Sequence, residues 1–80
     1  MYFDVYVTYS DGSPGRGRDV SVEFLGLFRG FVHGYTDESG HATIGEDDLT
    51  PGQANIWVGG QCFGPYDIDD GDGITVEAEP

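Results

Sequence analysis

Apolar and polar residues alternate in several short runs of this sequence, and each run ends in a cluster of glycine, proline or acidic residues. In residues 3–9, for example, Phe3, Val5, Val7 and Tyr9 fall on one side. Because successive side chains of a strand point to opposite faces, such alternation is typical of half-buried β-strands. No stretch of ten or more residues shows a helical period, and 14 glycines disfavour long helices. The pattern predicts an all-β chain.

Seven short strands are predicted, separated by turns at short and regular spacing. They cover residues 3–9, 20–24, 31–36, 42–44, 54–58, 62–68 (weaker, and interrupted at Gly64-Pro65) and 74–78. This strand count and spacing favour an antiparallel sandwich of two sheets, formed as one domain over residues 1–80. A small barrel has the same strand content and is the alternative.

The chain is short and strongly acidic. It has 80 residues with 15 Asp and Glu against 3 Lys and Arg, a net charge of −12. Such a charge is typical of disorder, but 14% aromatic residues and the regular alternation favour a folded chain of marginal, salt-dependent stability. The single Cys62 excludes an internal disulfide. With only three arginines to meet phosphates, direct binding of nucleic acid is not expected.

Neither a membrane span nor a leader is recognisable in the sequence. No apolar run approaches the roughly 18 residues of a span, and Met1 is not followed by a basic and then an apolar segment. We therefore expect a cytoplasmic protein without a membrane partner. Because the first predicted strand starts near residue 2 and the last ends near Glu79, we also expect a complete gene product. The location would be extracellular if the chain were a domain cut from a longer protein.

Three motifs follow one another in the order found in a known family. They are residues 9–14 (YSDGSP) before the VSV of 20–22, residues 36–44 (TDESGHATI), and residues 49–52 (LTPG) before the IWV of 56–58. Together they resemble carboxypeptidase-regulatory-like domains, which belong to the transthyretin-like and collagen-adhesin B-type sandwiches. The resemblance covers roughly residues 3–76 and implies a seven-stranded, immunoglobulin-like sandwich that serves as a non-catalytic appendage.

The sequence departs from this family's reactive members. It contains no lysine, so the internal isopeptide bond of many adhesin repeats cannot form. It ends in Glu77-Ala78-Glu79-Pro80 rather than the Tyr-Arg-Gly-Ser-like tail of hydroxyisourate hydrolases, which share the transthyretin fold. We therefore do not expect either chemistry.

An aspartate-rich segment near the C-terminus suggests a calcium loop. Asp67, Asp69, Asp70 and Asp72 lie among glycines, and Ca²⁺ prefers several carboxylate oxygens in a bent loop. The EF-hand spacing fails, because Asp72 stands where that loop needs glycine and Ala78 where it needs a bidentate Glu. The segment is interpreted as a solvated acidic turn, with weak calcium binding as the alternative, and no cofactor is expected.

Soft metal ligands and nucleophiles are few. His33, His41 and Cys62 are too scattered for structural zinc, and nothing resembles a nucleophile elbow or a cysteine-enzyme signature. His33 shares its parity with Phe31 and Tyr35 and is expected to be hydrogen-bonded at the sheet, whereas His41 is expected to be exposed. The chain is not expected to be an enzyme.

Some aromatic residues lie outside the predicted core. Tyr2, Tyr6 and Trp57 have the parity opposite to their buried neighbours, and Phe28 lies in a connection. Tyrosine and tryptophan are enriched in binding hot spots, so these four are candidate partner-binding residues. Alternatively, a loop or a second copy of the chain covers this face, which leaves a monomer and a homodimer both open.

The carboxylates supply the main functional hypothesis. The candidate binding residues are Asp37, Glu38, Glu46, Asp47, Asp48, Asp67, Asp69, Asp70 and Asp72. Carboxylates spaced along a small body can imitate the phosphates of DNA and block the basic groove of a partner such as a nucleic-acid-binding complex. The predicted function is thus a small inhibitor, similar in size and charge to anti-CRISPR and other anti-defence proteins. The alternative is a structural or adhesion-type module whose acidity is an adaptation of a halophilic or cell-surface protein.

Overall fold

The computed structural model describes residues 1–26 and 30–80, and within them the chain forms seven strands and no helix. The predicted contact residue Phe28 lies outside the described residues. The strands are β1 (Tyr2–Thr8), β2 (Asp19–Phe24), β3 (Phe31–Tyr35), β4 (His41–Gly45), β5 (Gly52–Val58), β6 (Gln61–Ile68) and β7 (Gly73–Glu77). A search of the described residues for a helix able to cross a membrane finds none.

The strands form two sheets, one of three strands in the order β4-β1-β7 and one of four in the order β3-β2-β5-β6. The prediction of an all-β chain with seven strands is therefore confirmed. The prediction that every pair is antiparallel is wrong for β1 and β7, which run parallel with Val7 opposite Val76. Alternation specifies which side of a strand is buried and carries no information on strand direction, so this pair could not be predicted.

The inner sides of both sheets contribute to one hydrophobic core. Its buried members include Phe3, Val5, Val7, Val20, Val22, Phe24, Ile44, Ile56, Val58 and Val76. Phe3 of the smaller sheet and Phe24 of the larger sheet meet edge to face, with ring centroids 6.3 Å apart. The alternation had placed both rings in the interior, and burial of such side chains is the main stabilising contribution available to a chain of this size.

A buried polar side chain, that of Thr36, connects two loops at the predicted end of the third strand. Thr36 directly follows β3, and it is the one buried polar residue of the described chain. Its hydroxyl accepts a hydrogen bond from the Arg18 backbone N–H (2.9 Å) and donates one to the Gly15 carbonyl oxygen. Thr36 thereby ties the segment before β2 to the loop after β1.

Most strand boundaries differ from the predicted ones by one or two residues, and two differences have a structural reason. β1 ends at Thr8, and the half-buried Tyr9 beyond it accepts a hydrogen bond on its hydroxyl from Arg18 Nη1 (3.0 Å). β6 continues through Gly64-Pro65, with a shift of register against β5 between Ala54 and Ile56. Proline is tolerated there because β6 is an edge strand of its sheet.

Candidate functional site

The N-terminal residue and the start of β1 lie against an acidic loop of residues 46–51, which follows β4. The Met1 ammonium donates hydrogen bonds to the carbonyl oxygens of Glu46 (2.8 Å) and Leu49 (3.1 Å). The Tyr2 hydroxyl donates to Asp47 Oδ1 at 2.7 Å. Because β4 is antiparallel to β1 and ends opposite Tyr2, the topology carries this loop to the beginning of β1.

A second acidic loop, residues 69–72, reaches Tyr2 from the other side. The Tyr2 backbone N–H donates to Asp70 Oδ1 (3.0 Å), and the Gly71 N–H donates to the Tyr2 carbonyl oxygen (2.8 Å). The Asp4 N–H donates to the Asp72 carbonyl oxygen (2.8 Å). This loop precedes β7, the parallel neighbour of β1, so the unpredicted parallel pairing is what brings it here.

Six carboxylates of the two loops thus surround one end of the smaller sheet. This acidic end consists of Glu46, Asp47, Asp48, Asp69, Asp70 and Asp72. Within residues 1–26 and 30–80, none of the six forms an ion pair with an arginine. The hydrogen bond to Asp47, some burial and the charges of Asp47, Glu46 and Asp48 together raise the pKa of Tyr2, as expected for a phenol in a negative environment.

A pocket of about 290 Å³ opens beside the acidic end. It is lined by Pro51, Gly52, Asp67, Ile68 and Asp69. Its volume is near the lower limit of small-molecule sites, and two carboxylates stand at its wall. The pocket therefore suits a single long cationic side chain better than a cofactor.

The remaining predicted acidic residues, Asp37 and Glu38, do not join the acidic end. They lie in the turn between β3 and β4, whose Gly40 carbonyl oxygen accepts a hydrogen bond from the Val7 N–H near the far end of β1. Asp37 Oδ1 accepts hydrogen bonds from the Ser39 N–H (2.9 Å) and the Ser39 hydroxyl (2.7 Å). It also accepts one from the His41 N–H (3.1 Å), so Asp37 has a structural role in its turn.

These hydrogen bonds predict a specific dependence of stability on pH. The Ser39 hydroxyl, and then the His41 N–H, lower the pKa of Asp37. A carboxyl whose pKa is lower in the folded state stabilises the fold above its unfolded pKa of about 4, and this stabilisation is lost as pH falls through the folded value. Between pH 5 and pH 2, the melting temperature of Asp37→Asn should therefore fall less than that of the wild type. Circular dichroism at fixed salt measures both.

The neighbouring substitution Glu38→Gln is the matched control. The Glu38 side chain accepts no hydrogen bond from the described residues. Its curve of melting temperature against pH should keep the shape of the wild-type curve. If the melting temperatures of Asp37→Asn and Glu38→Gln fell equally between pH 5 and pH 2, the hydrogen bonds of Asp37 would not be the cause of the pH dependence.

The histidines exchange their expected environments. His41 is half-buried on the outer side of the smaller sheet, with Nε2 2.7 Å from Asp4 Oδ1 and its ring stacked on Tyr6 at 4.9 Å between centroids. His33 is exposed, and its Nδ1 is 3.8 Å from Asp19 Oδ1. Sequence parity could not show that β4 places His41 directly opposite Tyr6. The Asp4–His41 contact orients the imidazole ring against which Tyr6 stacks.

The predicted aromatic contacts are divided between two surfaces. Tyr2 and Tyr6, 47% and 41% exposed, lie on the smaller sheet. Trp57 lies on the outer side of the larger sheet, half-buried, and its Nε1 donates to Glu23 Oε1 (3.3 Å). The sequence did not single out Phe31 and Tyr35, although they are 63% and 65% exposed. The buried Val32 between them was the available signal that the aromatic side of β3 faces outward.

Metal ligation finds no support in the described residues. No three His, Cys, Asp or Glu side chains in the described ranges are arranged to hold a metal ion. Asp70 Oδ1 accepts the Tyr2 N–H and Asp72 Oδ2 accepts the Asp69 N–H (2.7 Å), so these carboxylates bind backbone groups rather than facing a common centre. Cys62 is exposed and free.

Comparisons with protein-family models, with curated proteins and with solved structures find no match to this chain.

Proposed function

We propose that the protein is a non-enzymatic binding module whose acidic end occupies a basic groove of a partner protein in place of nucleic acid. The observation that carries the proposal is the fixed array of carboxylates on two loops that both hydrogen-bond to Tyr2. These carboxylates have no arginine partner in the described parts of the chain. The partner expected for such an array is a protein that normally binds a nucleic-acid backbone.

The anchoring of the loops favours binding in two ways. Loops already held by backbone hydrogen bonds lose little conformational entropy when a partner docks. A concentrated negative field also attracts a basic surface over a distance of about 10 Å in about 0.1 M salt, which raises the rate of association. The resulting interaction should be fast and should weaken as salt is added.

Two features next to the carboxylates can add short-range contacts. The ring of Tyr2 is half-exposed within the acidic end, and tyrosine is a frequent hot-spot residue. The pocket bounded by Asp67 and Asp69 can receive an arginine or lysine side chain of the partner. The described part of the chain thus combines charge with one aromatic anchor and one recess.

The proposed fold is a transthyretin-like sandwich. The single core shared by both sheets supports a sandwich. The order β3-β2-β5-β6 differs from the 1-2-5-4 order of the four-stranded sheet in immunoglobulin constant domains. Of the two versions of the sandwich, we therefore favour the transthyretin-like one, which the three sequence motifs resemble.

A competition assay tests the function. Purified nucleic-acid-binding proteins are loaded with fluorescent DNA, and the wild-type protein is expected to release the DNA from its partner at 50 mM salt and much less at 500 mM. Glu46→Ala/Asp48→Ala removes two carboxylates that accept no hydrogen bond from the described residues. With each exposed charge worth about threefold in affinity, this variant should compete about tenfold less well.

The matched control is Glu38→Ala/Glu77→Ala, which changes the net charge equally but lies away from the acidic end. It should compete nearly as well as the wild type. Equal loss in both variants would mean that only total charge matters, as for a surface adapted to high salt, and would overturn the proposal. Competition that does not change with salt would also overturn it.

A further inference from the structure

One edge of β3 presents backbone groups that have no partner strand among residues 1–26 and 30–80. Two hydrogen bonds fix the pairing with β2: Thr36 N–H to Arg18 carbonyl (2.9 Å) and Phe24 N–H to Gly30 carbonyl (3.1 Å). In an antiparallel ladder, hydrogen-bonded and non-hydrogen-bonded pairs alternate. With this register, the even-numbered residues of β3 bond to β2, and the backbone groups of Phe31, His33 and Tyr35 point away from it.

β3 lacks the devices that usually protect such an edge. At the opposite edge of the same sheet, β6 carries Pro65 and an irregular register. β3 reads Phe-Val-His-Gly-Tyr, without proline, lysine or a bulge, and in the described residues it pairs with β2 alone. Natural proteins normally blunt or cover such a strand, because it is a template for pairing with another chain.

The side chains beside this edge are aromatic and remain in solvent. Phe31 and Tyr35 are the two most exposed of the large hydrophobic residues in the described chain, at 63% and 65%. His33 lies between them and contacts the Tyr35 ring edge to face, with centroids 6.1 Å apart. On the next strands, Ser21 lies opposite both His33 and Trp57, so a small residue separates the edge aromatics from the tryptophan.

Charge indicates what kind of strand fits there. Asp19 is paired with Tyr35, and Glu23 is paired with Phe31, so carboxylates alternate with the rings across β2 and β3. No arginine lies on this outer face among residues 19–24, 31–35, 53–57 and 61–68. A second copy of the chain would bring another net charge of −12 to the same edge and would be repelled at low salt.

We propose that β3 accepts an extended, arginine-rich segment of a partner protein as a fifth strand of the four-stranded sheet. The segment would form backbone hydrogen bonds with Phe31, His33 and Tyr35. Every second side chain would lie over the outer face, where Asp19, Glu23 and the aromatic rings can hold cations by charge and by cation–π contacts. This site is on the other sheet from the acidic end and does not depend on the function proposed above.

The test uses the peptide Arg-Val-Arg-Thr-Arg-Val-Arg and amide hydrogen exchange followed by NMR. Saturation with the peptide in 150 mM salt should slow exchange at the His33 and Tyr35 amides about tenfold. The same peptide N-methylated at its central Arg-Thr-Arg keeps the charge but cannot form the ladder in either strand direction, because successive N–H groups of a strand point to opposite edges. It should give no such protection. Phe31→Thr/Tyr35→Thr should weaken binding at least about tenfold, whereas Tyr6→Thr on the other sheet should leave it unchanged.

Three results would overturn the proposal. One is equal binding of the N-methylated peptide, which would reduce the interaction to charge. Another is protection confined to residues 46–48 and 69–72, which would place the peptide at the acidic end. The third is concentration-dependent protection of His33 and Tyr35 without peptide, together with a dimer in sedimentation, which would make a second copy the occupant of the edge.

Discussion

Gly40→Ala is expected to destabilise the protein severely, whereas Gly12→Ala leaves it folded. Both glycines have positive φ, +79° and +87°, so both substitutions carry a similar backbone strain of about 1–2 kcal/mol. A Cβ at Gly40 would lie 2.4 Å from the Val7 carbonyl oxygen and 3.1 Å from the Gly15 nitrogen. A Cβ at Gly12 would meet nothing within 4 Å. The difference between the two variants therefore measures the close approach at Gly40.

The contacts that a Cβ at position 40 would disturb hold three segments of the chain together. The Val7 N–H donates to the Gly40 carbonyl, the Gly15 N–H donates to the Val7 carbonyl (both 2.8 Å), and the Gly15 carbonyl accepts from Thr36. Each buried polar group left without a partner costs about 1–3 kcal/mol. We expect the free energy of unfolding of Gly40→Ala to be lower than that of Gly12→Ala by at least about 3 kcal/mol. This is a large part of the ~4–12 kcal/mol that is typical for the unfolding of 80 residues.

Urea unfolding followed by the fluorescence of the single tryptophan, Trp57, measures both variants. A similar midpoint for the two would show that the backbone around Gly40 adjusts freely. It would then remove the argument that the turn between β3 and β4 is locked against β1.

The sequence predicted which side of most strands is buried, because that information is local. In β2, for example, Val20, Val22 and Phe24 alternate with polar residues, so only one orientation of the strand buries all three apolar side chains. The direction of β7 and the neighbours of β1 depend on long connections, and a local pattern does not contain them. The buried side of β3 was harder to predict, because its inner side holds only Val32 and Gly34 while its aromatic rings lie on the outer side.

The same difference explains what could be predicted of the candidate site. The acidic residues of 46–48 and 69–72 are visible in the sequence, and both sets lie in predicted turns. That they meet at Tyr2 follows from β4 and β7 flanking β1, which required the structure. The division of the carboxylates into those that bind backbone or phenol groups and those that do not was equally inaccessible, since it depends on individual hydrogen bonds.

This division leads to opposite expectations for two double variants with the same change in charge. Asp47→Ala/Asp70→Ala removes the acceptors of the Tyr2 hydroxyl and N–H. It should lower the melting temperature by about 5–10 °C at low salt, because each loop loses its side-chain hydrogen bond to Tyr2 and keeps only its backbone hydrogen bonds. Glu46→Ala/Asp48→Ala removes only mutual repulsion, and it should raise the melting temperature by about 5 °C at low salt.

Salt distinguishes repulsion from hydrogen bonding. In 1 M salt the screening length falls to about 3 Å, so the gain from Glu46→Ala/Asp48→Ala should vanish while the loss from Asp47→Ala/Asp70→Ala remains. Differential scanning calorimetry at 20 mM and 1 M salt measures both. A loss of stability in Glu46→Ala/Asp48→Ala at low salt would show that these carboxylates support the fold. A gain would mean that the protein keeps Glu46 and Asp48 at a cost in stability, which is expected where charges are retained for binding a basic partner.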